Sequence, residues 1–137
     1  MGIDERDVRR TAENLDLRRV APAPASYASR TDRPVRYLAV GTGDGVLGYL
    51  WTADGEDAAG FVRRPAAGGD GANEAVAWTK ELRAAKTRDV PAARLLDEFA
   101  AAELPVADGA WHPGRVIPGS RTEAPSLAAL KELAARD

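Results

Sequence analysis

The chain of 137 residues has no cysteine, one histidine, one methionine, three lysines and no uninterrupted apolar run approaching the eighteen or so residues of a membrane span. Each shortage excludes something. Without cysteine there are no disulfides, thiolate zinc sites or cysteine nucleophiles, so the fold must be held by packing. One histidine would leave a zinc site resting on carboxylates, an uncommon ligand set, and neither a metal nor a cofactor is expected. The lack of a long apolar run removes a membrane-spanning helix, and the charged start MGIDERDVRR is unlike a signal peptide, so a cytoplasmic location is expected. Arg6 stands where a myristoylated N-terminus would carry Ser or Thr.

Large aliphatic side chains are scarce too: Leu, Ile, Val and Phe number 26 against 28 Ala. That composition borders on disorder, but disorder also requires high net charge, and here it is only -2. The expectation is one folded α+β domain, 1–137, with a thin core. Trp51, Trp78, Trp111, Tyr27, Tyr37 and Tyr49 should dominate its packing, because each large ring buries on the order of 150–250 Å². Arginine outnumbers lysine 16 to 3, which with so much Ala suggests a GC-rich bacterial coding sequence. No basic stripe interleaves with aromatics, so nucleic acid is not an expected partner.

What is present reads as follows. Residues 1–33 form a helix near 4–15, with Val8, Ala12 and Leu15 on one side, and an extended Ala-Pro arm. From Pro34 the residues turn β-branched and aromatic, predicting a hairpin with strands near 35–40 and 46–53. Val35, Tyr37 and Ala39 oppose Leu38 and Val40, while Val46 and Leu50 oppose Leu47, Tyr49 and Trp51. Both faces are apolar, so the hairpin needs cover on two sides, from helices or from a second subunit. Residues 56–64 read as a short strand near 60–64 or as a helix from Glu56, the acids Glu56 and Asp57 tilting the balance toward helix. AAGGDGAN reads as a loop, followed by a helix near 74–88 capped by Asn73 and burying Ala75, Trp78, Leu82 and Ala85. Further helices are expected near 91–104, with Leu95, Leu96, Phe99 and Ala102 inward, and near 125–136, making about four. A short strand near 115–117 lies in the Pro/Gly-rich connection between them.

Gly43-x-Gly45-x-x-Gly48 has the spacing of a dinucleotide loop, but that loop must open a helix, and here the following residues read as strand. A kinase glycine loop sits on a hairpin, yet the remaining kinase motifs are missing. The glycines therefore read as turn chemistry around Asp44-Gly45. GGDGANEAV resembles one imperfect calcium nonapeptide with no second copy to bind against. Ser120 lacks the glycines of a nucleophile elbow. Asp97-Glu98, and Glu81 beside Lys80, read as helix-surface charges, and Arg63-Arg64 as a common surface pair.

No catalytic constellation emerges. The leading expectation is a non-catalytic interaction module that binds a protein partner or self-associates, a homodimer being one form of that. The alternative is a small-ligand protein or weak enzyme whose site joins the acidic turn Asp54, Glu56 and Asp57 to Trp111, His112 and Arg115.

Overall fold

The structure is a computed structural model, and it describes residues 26–53, 55–101 and 114–136. Its order is β1 (Val35–Thr42), β2 (Gly45–Ala53), β3 (Ala59–Arg63), a 3-10 turn (Pro65–Ala67), α1 (Gly68–Thr87), α2 (Ala92–Ala101), β4 (Arg115–Val116), β5 (Thr122–Ala124) and α3 (Leu127–Arg136). The architecture is α+β: one antiparallel five-stranded sheet with three helices among the described residues. About four helices were expected; the one near 4–15 lies outside the described residues, as do Ala102 and the rest of the expected end of the 91–104 helix.

The hairpin forms as the sequence predicts. β1 and β2 run antiparallel from Val35 opposite Ala53 to Thr42 opposite Gly45. Gly45 takes a φ of 135°, a conformation that side chains rarely adopt, which is why the turn needs glycine there. Strict alternation fails at one point. The register shifts between Val40 and Gly41, so that Val40 faces Gly48 and Gly41 faces Val46. This bulge sends Val46 to the face of Tyr49 and Trp51, opposite to the side expected, because one extra residue inverts the parity of everything before it.

Strand order across the sheet is β3-β2-β1-β4, with β5 also pairing β1. β4 sits beside Val40 and Gly41, and β5 beside Val35, Arg36 and Tyr37. Ser120 bridges the gap between them: its hydroxyl accepts the Ala39 N–H at 3.0 Å and donates to the Ile117 carbonyl at 2.6 Å. That serine is a piece of ladder.

Residues 59–63 are strand, not the helix that the acids favoured. Both acids are engaged elsewhere. Thr31 donates to Glu56, while Asp57 accepts from Lys86 and from the Ala92 N–H, satisfying an amide at the start of α2. Helix α1 starts at Gly68, within the segment read as a loop and five residues ahead of the expected cap Asn73. Glycine disfavours a helix by about 1 kcal/mol per residue, yet this turn lies against the sheet backbone. A β-carbon at Gly71 would meet the Leu47 and Arg64 carbonyl oxygens at 3.2 Å, closer than ordinary contact, so glycine eases the approach. The far end of α1 closes with Asp89 at φ 61°, the Val90 N–H bonding to Ala85 O and the Asp89 N–H to Lys86 O.

Two cores result. Leu38, Val40 and Leu50 pack beneath α1 and α2 with Trp78, Leu82, Leu95, Leu96 and Phe99. On the opposite face Val35, Tyr37, Tyr49 and Trp51 pack with Leu127, Leu130 and Ala134 of α3. Ser126 caps α3 by accepting the Ala129 N–H at 3.0 Å. The chain's own helices cover both faces of the hairpin, which removes the reason for invoking a second subunit there.

Candidate functional site

The outer edge of β3 is the feature these layers leave open. Bonds from Ala53 N to Ala58 O and from Arg64 N to Leu47 O fix the ladder parity, so the backbone polar groups of residues 58, 60, 62 and 64 point at β2. Those of Ala59, Phe61 and Arg63 point outward. Ala28 meets the start of this edge in a parallel bridge, donating to Asp57 O and accepting from Ala59 N. Beyond it, the Phe61 and Arg63 amides have no protein partner among the described residues.

This edge is the floor of a groove of about 420 Å³. α1 forms one wall with Thr79, Leu82 and Arg83, α3 the other with Leu127 and Lys131, and Ser26 to Ser29 close one end. Leu82 and Leu127 are buried at the base, while Arg83 and Lys131 stand exposed at the rim. No carboxylate among the described residues lines the groove, although acids outnumber bases in the whole chain. Neither Arg83 nor Lys131 has an ion-pair partner among the described residues.

Two glycines shape the floor. A β-carbon on Gly48 would collide with the Phe61 ring at 2.4 Å, and one on Gly60 would meet the Trp51 indole at 2.8 Å. Each aromatic therefore lies across a glycine of the neighbouring strand, one on each face of the sheet. This explains the third glycine of the Gly43-x-Gly45-x-x-Gly48 run: it makes room for Phe61 in the middle of a strand and opens no helix.

Of the site proposed from sequence, the described members Glu56 and Asp57 stand apart from Arg115. Glu56 and Asp57 lie at the end of the sheet where Val35 faces Ala53, whereas Arg115 pairs with Gly41 at the other end. Six strand residues at about 3.4 Å each put these ends roughly 20 Å apart. Asp54, Trp111 and His112 lie outside the described residues. Asp57 serves the structure instead. The Lys86 hydrogen bond holds its carboxyl below the usual range, against the opposing effect of burial. Beside it, Lys86 Nζ lies 5.2 Å from the Tyr27 ring centroid, and the Tyr27 hydroxyl donates to the Val90 carbonyl. Burial, with the nearby Asp57 charge, pushes Tyr27 up to about 12.

Helix carboxylates also depart from expectation. Glu81 is buried rather than on the surface, and Glu74 is fully enclosed, its Oε2 accepting the Trp78 indole N–H at 2.8 Å. The i, i+4 spacing of Glu74 and Trp78 was the available signal. Asp97 and Glu98 are surface charges as read, paired with Arg121 at 2.7 Å and Arg88 at 3.5 Å.

A second cavity, about 380 Å³, lies between the hairpin turn and the start of α1. Asp44 and Asp70 both line it and Arg64 donates to the Val46 carbonyl, an arrangement that opposes a phosphate. The nonapeptide-like segment is helical, and no group of three or more metal-ligating side chains occurs among the described residues. None of the described helices is long and apolar enough to cross a membrane. No known protein family, curated protein or solved structure matches the chain.

Proposed function

We propose that this chain is a non-catalytic interaction module that receives an extended segment of another polypeptide along the outer edge of β3. The observation that carries the reading is the pair of outward amides at Phe61, on the floor of a groove between α1 and α3, and at Arg63 just beyond it. An open edge is a template for a further strand, and proteins that do not use one usually cover or blunt it. Here the edge is recessed between two helices, which hinders pairing with flat aggregates while leaving room for a single strand. Its open part, from Phe61 to Arg63, is about 7 Å long at 3.4 Å per residue, enough to pair two or three residues of a ligand.

The direct test is a selection of displayed random seven-residue peptides on the full chain, counter-selected on Arg63→Pro. Proline at 63 removes one outward amide without touching a bond to β2. Peptides should enrich on the wild type, lose binding to the proline variant, and shift the backbone amide resonances of Phe61 and Arg63. Enrichment that is indifferent to the proline, or that moves resonances only elsewhere, would refute the edge as the binding surface.

A further inference from the structure

We infer that the segment taken up by the β3 groove is acidic, with carboxylates seated between Arg83 and Lys131. This rests on the edge-binding reading above and deepens it by naming the chemistry of the partner. The argument is one of complementarity. The charged side chains lining the groove are both cations, Arg83 and Lys131 on opposite walls, while the floor offers the outward Phe61 amide and carbonyl and the Trp51 indole N–H, which has no acceptor among the described residues. Arg63, exposed at the end of the same strand, adds a third positive charge. A chain whose net charge is -2 has thus left this groove without a lining carboxylate among the described residues.

A neutral strand would satisfy the floor but leave the rim cations unmatched. A basic one would be repelled. A second copy of this chain fits poorly: edge-to-edge pairing about a twofold axis puts the same patch on both sides, setting the cations of one copy against those of the other. An extended peptide with acids two residues apart presents both carboxylates on one side of its backbone, and acids on successive residues would reach both walls, since alternate side chains leave a strand in opposite directions. Carboxylates are the matching acceptors because ionised acceptors bond N–H donors about twice as strongly as neutral ones.

The test compares three synthetic eight-residue peptides of alternating Val and Thr that carry Glu, Gln or Lys at the two central positions, by fluorescence anisotropy on the full chain. Exposed pairs contribute up to about fivefold each, so the Glu peptide should bind roughly tenfold more tightly than the Gln peptide at low salt. The advantage should shrink at high ionic strength, where screening shortens to about 3 Å at 1 M. Arg83→Glu with Lys131→Glu, both exposed and neutral to folding, should invert the order in favour of the Lys peptide. Equal binding of all three, lost in Arg63→Pro, would overturn the acidic preference while sustaining the edge reading. No binding by any of them, with the displayed library also failing, would overturn both. Free succinate competing as well as the Glu peptide would show a small dicarboxylate site and refute the peptide assignment. Concentration-dependent dimerisation blocked by Arg63→Pro would assign the edge to self-pairing and refute it too.

Discussion

The contact between Gly60 and Trp51 can be read out quantitatively by replacing one hydrogen with a methyl group. In Gly60→Ala the new carbon would stand 2.8 Å from Trp51 Nε1 and 3.0 Å from its Cε2 and Cζ2. Carbon contacts are comfortable at about 3.5–4.0 Å, so the indole must withdraw by roughly 0.7 Å. It has little room to do so, being 3% exposed and packed in the core that contains Leu127 and Leu130. Overpacking of this kind costs about 1–3 kcal/mol, partly offset by about 0.5–1 kcal/mol because alanine in a strand loses less entropy than glycine. A single variant would blur the two effects; a double-mutant cycle with Trp51→Leu separates them. With the indole gone, Gly60→Ala should stabilise by about 0.5–1 kcal/mol, giving a coupling of about 1–3 kcal/mol between the two sites. Urea unfolding at constant m-value supplies the four free energies. A coupling within about 0.5 kcal/mol of zero, the scatter of independent sites, would mean that the indole does not lie on Gly60, and the description of the groove floor would fall with it.

Other consequences are less elaborate. Trp51→Ala should cost about 3–5 kcal/mol, and an unfolding curve superposing on the wild type would show that the ring is outside the core. Leu130→Ala, at a position 1% exposed beneath α3, should cost about 2–5 kcal/mol; calorimetry showing an unchanged Tm would mean that α3 does not hold the second face. Asp57 has a folded pKa below its ordinary value, so its contribution is complete above the unfolded carboxylate pKa of about 3.9 and fades as pH falls through the lower, folded value. Asp57→Ala should flatten that acid limb and, through the lost bond to the Ala92 amide, cost about 0.5–2 kcal/mol at pH 7, toward the low end because the carboxylate is half-exposed. Tyr27 has the opposite sign: raised to about 12, it stabilises fully below pH 10 and loses that contribution as pH climbs toward 12. Tyr27→Phe should abolish this alkaline limb in denaturant midpoints, and an unaltered limb would assign it to another group.

Much of the framework was legible from residue order alone. The β-branched and aromatic runs on either side of Asp44-Gly45 determined a hairpin, because alternation and turn chemistry are local properties that no distant contact had to supply. The apolar spacing of Leu95, Leu96 and Phe99, and of Leu127 and Leu130, determined two amphipathic helices in the same way. Where neighbours in space outweighed neighbours in sequence, the reading failed. The bulge that turns Val46 over was not visible in the local sequence, and the helix that begins in four residues containing three glycines and the strand at 59–63 go with contacts made at a distance: Leu47 against Gly71, and Lys86 and Ala92 engaging Asp57.

The candidate site belongs wholly to this second category. Arg83 and Lys131 are separated along the chain by the last turn of α1, all of α2 and the return of β4 and β5, and nothing in their local sequence distinguishes them from other surface cations. Sequence determined that the hairpin would need cover on both faces. Only the tertiary structure decided that two helices on one side and one on the other would do it, and that α1 and α3 would stop short of the third strand's edge. Burial satisfies side chains face by face, whereas a backbone edge is closed only by another strand.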